Sequence, residues 1–502
     1  MMKRRALNRA LALVALTATA TATAVTIRHS NAVADAASAT RDAVPNLAAP
    51  YSGWNVSLAP KPDEPGALSL AYDSPALGRR TVNAVYLPTS YRASGPAAPV
   101  LYFLHGTVVP ALDDRLYDPA TCVESLLCMI SGGGGNKQTL LQGFATQRDR
   151  ANFVVVAPDT HPETNWCETC PWIDGRPDVV PNLHPMTAET VPAETVLYTE
   201  IIPLVEHVFN VRRDRGGRGI SGFSLGALGA LIQGFRHPDR FAYVASISGA
   251  YDIVDEPVMS NTLSALGDFR DQGYGTPQTD QLMWRNFNPR DLVGNFAGSG
   301  AQLMLSAGDI CLPPTDAAGA ADCAKYPPLL HPAATTVEIM VRRNTDLSVK
   351  QLTDAGVHAT QVRFSGVHGA NNHRVYADVI VPQANRVFAN SVRTPSTFSY
   401  RTVDSRFSIW GYDVSLDRER PEFFALEKAS ITGGSFTLEG SGTATVTTPP
   451  SFKPGGAYQV IYQSSLGAPP RSLVTADQSG RLTVPVALGT SKETSQVQII
   501  PA

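Results

Sequence analysis

The sequence predicts an α/β domain built on a mostly parallel central sheet, followed by a smaller, sandwich-like all-β domain. Short β-branched runs alternate with longer helical stretches from about residue 50 to 390, which is typical of βα units. Helical periodicity is lost after about residue 391, and short alternating runs separated by Gly, Pro and Ser continue to the end. The 502 residues are enough for two such domains and an N-terminal leader.

The first 38 residues have the layout of a secretory signal peptide. Basic residues from Lys3 to Arg9 precede an Ala/Leu/Val stretch over about residues 10–25, and small residues follow at Ala32-Val33-Ala34 and Ala37-Ser38-Ala39. A retained membrane anchor is the alternative, although threonines dilute the apolar stretch. The sequence predicts a secreted or cell-wall-associated protein with domains at about residues 50–390 and 395–502.

The composition is that of a globular chain without a basic surface. Hydrophobic residues make up 43% of the chain, charged residues make up 17%, and the net charge is −3. Binding to phosphate backbones depends on an excess of Lys and Arg, which this chain lacks. We therefore expect no nucleic-acid partner.

The six cysteines fall into three pairs that are close in sequence. An exported chain meets an oxidising environment, so we expect three local disulfides. The Cys-Glu-Thr-Cys motif of the second pair could instead be a redox or zinc motif, but a zinc site needs about four ligands and the chain has no second CxxC. We expect neither a metal nor an organic cofactor. The pairs are Cys122 and Cys128, Cys167 and Cys170, and Cys311 and Cys323.

Seven short apolar runs are the strongest strand predictions in the α/β region. Three of them are followed directly by Gly or Pro. Ligands of such sheets lie beyond the carboxyl ends of the strands, so functional residues are expected directly after each run. The runs are Val82–Leu87, Val100–Leu104, Phe153–Ala157, Arg218–Ser221, Tyr243–Ile247, Leu303–Ser306 and Gln361–Phe364.

Six alternating runs follow in the predicted all-β domain. Its aromatic residues Trp410, Tyr412, Tyr458 and Tyr462 could form a sugar-binding face, although alternating aromatics more often belong to a core. Contact with a cell wall or polysaccharide is therefore one expectation for this domain. The runs are Phe398–Val403, Phe407–Leu416, Thr443–Thr448, Tyr458–Tyr462, Leu482–Leu488 and Gln496–Ile500.

The central chemical signal is Gly222-Phe223-Ser224-Leu225-Gly226, between a predicted strand and a helix start rich in small residues. This context is that of a nucleophile elbow, in which glycines permit a strained, tightly packed turn and the serine Oγ is exposed. A bare GxSxG is a weak signal, but one between a strand and a helix is strong. The motif predicts an α/β-hydrolase fold with Ser224 as nucleophile.

Two backbone N–H groups are candidates for an oxyanion hole. One belongs to Leu225, which directly follows the serine. The other belongs to Thr107, which follows His105-Gly106 after the predicted strand Val100–Leu104. Such donors stabilise negative charge that develops only in the transition state.

The general base should be a histidine after Ser224, because the order along the chain in this fold is serine, acid, histidine. His368 lies in Gly366-Val367-His368-Gly369, after the last predicted strand, where a glycine-flanked loop can bring it to the serine. His373 is the alternative. The remaining candidates, at helix ends or in other loops, are His237, His331 and His358.

Two carboxylates compete for the role of the acid that orients the histidine. Asp309 follows the strand Leu303–Ser306, and Glu338 lies in Val337-Glu338-Ile339-Met340. The residues alone leave this choice open.

Several stretches together resemble the esterase D-like superfamily of α/β hydrolases, and within it the mycobacterial mycolyltransferases of the antigen 85 family. They include Ser74-Pro75-Ala76-Leu77-Gly78-Arg79 and the elbow. They continue with the stretches His237-Pro238-Asp239-Arg240-Phe241, Ser246-Ile247-Ser248-Gly249, Met283-Trp284, Asn288-Pro289 and Gly366-Val367-His368.

This resemblance implies roles for particular residues. The family acid is a glutamate between the last two strands, which favours Glu338. The family disulfide upstream of the elbow is similar in place to Cys167 and Cys170, and the Asp-Gly-Leu of its oxyanion loop corresponds here to His105-Gly106-Thr107. The glycine-rich stretch Ser131–Asn136 and the C-terminal β-rich region depart from the family pattern.

The expected function is a serine carboxylic-ester hydrolase that works through an acyl-enzyme on a small-molecule, lipid or glycan ester. One alternative is a mycolyl- or other acyltransferase that moves an acyl chain to a sugar such as trehalose. Another is a non-catalytic cell-surface protein that binds glycan or lipid. Superfamily membership implies ester chemistry and leaves the substrate open.

Overall fold

The computed structural model describes residue 47 and residues 49–502 except 62–65, 107–142, 161–171, 178–189, 267–268, 312–319, 322, 325–327, 331, 370–371 and 465–470. The predicted signal peptide lies outside the described residues.

The first domain is built on a sheet with the strand order β1-β2-β3-β5-β4-β6-β7-β8-β9. The six neighbouring strands β5, β4, β6, β7, β8 and β9 pair in parallel. The strands β1, β2 and β3 pair in an antiparallel manner at the edge, and β3 is also antiparallel to β5. The strands are β1 (Ser57–Pro60), β2 (Ala67–Ser74), β3 (Arg79–Tyr86), β4 (Val100–Leu104), β5 (Val154–Ala157), β6 (Arg218–Phe223), β7 (Tyr243–Ile247), β8 (Gln302–Gly308) and β9 (Ala359–Phe364).

Helices cover both faces of this sheet. The longer ones are α1 (Ile202–Val208), α2 (Leu225–Arg236), α3 (Pro257–Leu266), α4 (Gln281–Asn286), α5 (Pro289–Phe296), α6 (Pro332–Asp354) and α7 (Val381–Ala389). Shorter helical segments are Ala193–Thr195, Val196–Ile201, Arg270–Tyr274, Asn372–Val375 and Tyr376–Ile380. None of the helices in the described part of the chain is both long and apolar enough to cross a membrane.

Side chains of β4 show how the two faces form two cores. Val100, Tyr102 and Leu104 lie in one apolar cluster, and Leu101 and Phe103 lie in the other. Successive residues of a strand point to opposite faces, so a fully buried strand contributes to both cores. Helices α1, α2 and α5 pack on the first face, and α7 packs on the second. This arrangement confirms the predicted α/β-hydrolase fold class.

All seven strands predicted for the α/β region are present, with ends that differ by a few residues. The antiparallel strands β1 and β2 were not predicted. Neither contains a β-branched residue, which removes the main compositional signal for a strand.

The second domain is an antiparallel sheet folded on itself. Its strands are β10 (Thr397–Thr402), β11 (Arg406–Ile409), β12 (Tyr412–Asp417), β13 (Phe424–Ser430), β14 (Ser435–Thr447), β15 (Ala457–Ser464), β16 (Arg471–Thr475) and β17 (Thr483–Pro501). The long strands β14 and β17 shift register between Gly440 and Thr443. One half of β14 pairs with β13 and the other half with β12. The sheet therefore forms two layers, and their buried side chains make one core.

Three of the predicted runs in this domain were wrong in detail. The run Phe407–Leu416 is a hairpin, because Trp410 and Gly411 both have positive φ and form its turn. The runs Leu482–Leu488 and Gln496–Ile500 belong to the single strand β17, whose polar middle hid their continuity.

The four aromatic residues considered for a sugar-binding face take part in core packing. Tyr412 is fully buried, while Trp410, Tyr458 and Tyr462 are partly buried and pack against the same cluster. The ring of Trp410 also lies 5.0 Å from the guanidinium carbon of Arg215 in the first domain.

Candidate active site

Ser224 occupies the sharp turn between β6 and α2. Its backbone φ of 57° lies in the left-handed region, which residues other than glycine rarely adopt. The Ser224 N–H donates to the Ile247 carbonyl at 3.0 Å, and the Ser224 carbonyl accepts from the N–H groups of Ala227 and Leu228 at 3.0 Å each. Backbone bonds on both sides therefore hold the serine in a strained conformation, as in a nucleophile elbow.

The glycines around Ser224 are required because backbones approach each other closely. A Cβ added at Gly226 would lie 2.1 Å from the Leu104 carbonyl oxygen, and one added at Gly222 would lie 2.1 Å from the Gly226 carbonyl oxygen. Only residues without a side chain allow α2 to begin directly against β4.

The substitution Gly226→Ala should destabilise the protein by about 3 kcal/mol or more, because the added methyl meets backbone that cannot move independently. Urea unfolding measures the change. The matched control is Gly294→Ala in α5, where an added Cβ meets nothing within 4 Å. That change should alter stability by less than about 1 kcal/mol, in the stabilising direction. Equal midpoints for the two variants would contradict the close approach.

The structure brings Ser224, His368 and Glu338 together in one chain of hydrogen bonds. His368 Nε2 lies 2.9 Å from Ser224 Oγ, and His368 Nδ1 lies 2.7 Å from a Glu338 carboxylate oxygen. The histidine is buried and the glutamate is completely buried. Phe223 packs its ring 4.9 Å from the imidazole, which limits ring reorientation.

Glu338 lies in the first turns of α6, between β8 and β9. Its second carboxylate oxygen accepts hydrogen bonds from Ser248 Oγ at 2.9 Å and from the Gly308 N–H. A completely buried carboxylate needs such partners, because an unpaired buried charge is very costly. Ser248 was not assigned a role from the sequence; its signal is its place in a Gly-containing turn directly after strand β7.

The carboxylate of Asp309, the alternative acid, makes its hydrogen bonds elsewhere. It accepts from the Cys311 N–H at 2.7 Å, from Ser365 Oγ at 3.2 Å and from the Gly366 N–H at 3.3 Å. These bonds join the ends of β8 and β9. Asp309 therefore holds the loop that precedes His368, while Glu338 contacts the imidazole itself.

The alternative histidines lie in other surroundings. His373 is on the short helix Asn372–Val375, where it packs against Gly143. His237 Nε2 lies 2.8 Å from Glu194, at the far end of α2 from Ser224. His331 lies outside the described residues.

One of the two predicted oxyanion donors can be located. Leu225 is the first residue of α2, so its N–H has no acceptor within the helix. Thr107 lies outside the described residues. The preceding residue Gly106 is close to the serine: a Cβ added there would lie 2.9 Å from Ser224 Cβ. Trp172 supports this loop by donating its indole N–H to the His105 carbonyl at 3.1 Å.

Among the predicted disulfides, Cys311–Cys323 is present in the structure. Cys122, Cys128, Cys167 and Cys170 lie outside the described residues. Within the described ranges, no group of three or more His, Cys, Asp or Glu side chains is placed to hold a metal ion.

The fold and the hydrogen bonds that join Ser224, His368 and Glu338 are together the features of a serine α/β hydrolase. The residues occur in the order serine, acid, histidine, and the serine sits on an elbow between a strand and a helix.

Comparison with known families agrees with that class. A family model described as "Putative esterase" matches residues 74–295, which include the elbow. This match confirms the resemblance to the esterase D-like superfamily. Glu338 and His368 lie beyond the matched segment.

Two curated relatives are Esterase MT1326 and Esterase Rv1288, from two strains of Mycobacterium tuberculosis. Each is 24% identical over 249 residues, which cover 47% of this chain and 44% of the relative. The chain thus spans less than half the length of these relatives. A solved structure with a similar chain is MPT51 (FbpC1) of Mycobacterium tuberculosis. It has 15% identity and a TM-score of 0.40, covering 69% of this chain and 100% of that one.

Proposed function

We propose that this protein is a secreted serine carboxylic-ester hydrolase that acts through an acyl-enzyme intermediate on Ser224. The observation that carries the proposal is the chain of hydrogen bonds from Ser224 Oγ through His368 to Glu338, at 2.9 and 2.7 Å. A nucleophile within hydrogen-bond reach of a base that a third group orients is the arrangement needed for nucleophilic catalysis.

In the first half of the proposed reaction, Ser224 Oγ attacks the ester carbonyl while its proton passes to His368 Nε2. Glu338 accepts the hydrogen bond from His368 Nδ1 and stabilises the imidazolium. The Leu225 N–H donates to the oxyanion, with Thr107 as the second proposed donor. The tetrahedral intermediate then collapses, and the alcohol leaves with the proton from His368 Nε2.

In the second half, His368 removes a proton from the acceptor, which attacks the acyl-enzyme carbonyl. Water as acceptor gives a free acid and makes the protein an esterase. A sugar hydroxyl gives a new ester and makes it an acyltransferase. In either case His368 Nε2 returns its proton to Ser224 Oγ, so the enzyme is regenerated unchanged.

Three further features support the proposal. The "Putative esterase" match covers the elbow, and both curated relatives are esterases by name. The disulfide Cys311–Cys323 fits an oxidising location outside the cytosol. No feature of the described site selects a particular acyl chain, so the substrate class proposed is broad: small-molecule, lipid or glycan esters.

The test is product analysis with a p-nitrophenyl ester, a trehalose mycolate and a feruloylated or acetylated polysaccharide, each with and without added trehalose. We expect free acid to be released at a rate independent of trehalose. Acyl-trehalose that increases with trehalose would assign the transferase reaction instead.

The same samples should be treated with a fluorophosphonate probe, which reacts with activated serines. We expect covalent labelling of Ser224. A folded sample that resists labelling and releases no acid would contradict catalysis and favour a protein that only binds glycan or lipid.

A further inference from the structure

The two domains meet on a surface formed by the C-terminal end of α2 together with α4 and α5 on one side, and by β10 with the residues after it on the other. This surface, here called the docking surface, contains buried polar groups from both domains. Asn286, Asn295 and Arg236 of the first domain are buried, as is Tyr400 of the second.

Two asparagines of the first domain pair with the backbone of β10 and of Val403, the residue that follows it. Asn295 donates its amide N–H to the Arg401 carbonyl at 3.1 Å and accepts from the Arg401 N–H at 2.8 Å. Asn286 accepts from the Val403 N–H at 2.8 Å. Since β10 is at the end of the hydrogen-bonded order of its sheet, Asn295 satisfies backbone groups that this edge strand would otherwise present to solvent.

A chain of charges crosses the docking surface beside these asparagines. Arg236, the last residue of α2, lies 2.9 Å from Asp404 of the second domain and 3.4 Å from Glu194 of the first. Asp404 also accepts from the Asn286 amide at 2.9 Å. Burial by itself would raise the pKa of Glu194, but Arg236 and the hydrogen bond from His237 lower it to about 2. Glu194 is therefore charged at neutral pH.

Separation of the domains would break the bonds between them, although Arg236 would keep Glu194. Arg236 would lose Asp404, and Asn286 and Asn295 would lose the backbone groups that they bind. Each of these bonds would be exchanged for bonds to water, so each one contributes a modest amount, and several together favour the docked arrangement. Contacts between domains are often small and allow relative motion, but this surface is held by specific pairings at several points.

We propose that the C-terminal β-domain is a fixed structural partner of the hydrolase domain, bound through the docking surface rather than tethered by the connecting chain. The partner that this surface fits is therefore the edge strand β10 and Asp404 of the same chain. This proposal does not depend on the proposed catalytic activity.

The connecting chain permits a direct test, because residues 390–396 between α7 and β10 are largely exposed. A protease recognition sequence inserted after Thr394 allows the full-length folded protein to be cut into two pieces. We expect the cut protein to elute from size exclusion as one species of the intact size. Elution of two separate pieces under native conditions would overturn the proposal.

A variant with Asn286→Ala, Asn295→Ala and Asp404→Ala tests whether the docking surface holds the pieces together. After cutting, its two domains should separate, while circular dichroism of the uncut chain verifies folding. The matched control is Asp413→Ala, which removes an ion pair with Arg481 inside the second domain. The cut control should stay together. If the cut triple variant also stayed together, a different surface would hold the domains, and the proposal would be wrong. A triple variant that fails to fold leaves the wild-type cut as the deciding measurement.

Discussion

Replacing Ser224 with alanine should lower the rate of ester hydrolysis by about 10⁴- to 10⁶-fold, the range found when a triad nucleophile is removed. Alanine keeps the Cβ and therefore the elbow, but it removes the Oγ that lies 2.9 Å from His368 Nε2. The measurement is kcat with a chromogenic short-chain ester, together with fluorophosphonate labelling.

Ser221→Ala is a matched control for this change. Ser221 lies three residues earlier on β6, is completely buried, and its Oγ has no hydrogen-bond partner within the described structure. Removing that hydroxyl should leave both the rate and the fold unchanged. Retention of full hydrolysis in the Ser224→Ala protein would exclude Ser224 as the nucleophile.

Glu338→Gln should lower kcat by about 10⁴-fold, which is the effect of replacing a triad carboxylate by its amide. Glutamine has nearly the same shape, but its neutral amide cannot stabilise the imidazolium. Its NH₂ group can also face His368 Nδ1, which favours the tautomer that has the proton on Nε2, where a base cannot accept one. The measurement is kcat at saturating ester, with thermal unfolding to verify the fold.

Asp309→Asn separates the two candidate acids. Asp309 accepts bonds from Cys311, Ser365 and Gly366, so its replacement should cost about 1–3 kcal/mol of stability. The effect on kcat should be much smaller than that of Glu338→Gln. A larger loss of kcat for Asp309→Asn would reverse the proposed assignment of the acid.

The fold class could be predicted from sequence because the buried parallel strands are runs of β-branched and large apolar residues. Val154–Ala157 and Tyr243–Ile247 are examples. Two of the strands that were not predicted, β2 and β13, contain no β-branched residue, and packing against neighbours determines their conformation. Propensity alone carries no information about that packing.

Within the site, the position of Ser224 is encoded locally, because the elbow depends on glycines within two residues of it. The choice between Asp309 and Glu338 is not encoded locally. Both lie after β8, and only the path of α6 across the sheet brings Glu338 to within 2.7 Å of His368. Ser248 could not be assigned for the same reason, since its partner is 90 residues away.

Helix α2 separates two different environments. Its first turn follows Ser224, and its last residue, Arg236, is bound to Asp404. Twelve residues at 1.5 Å each place these ends about 18 Å apart. A short ester at Ser224 is therefore too small to touch the Asp404 end of the helix, so the docking surface makes no direct contact with such a substrate.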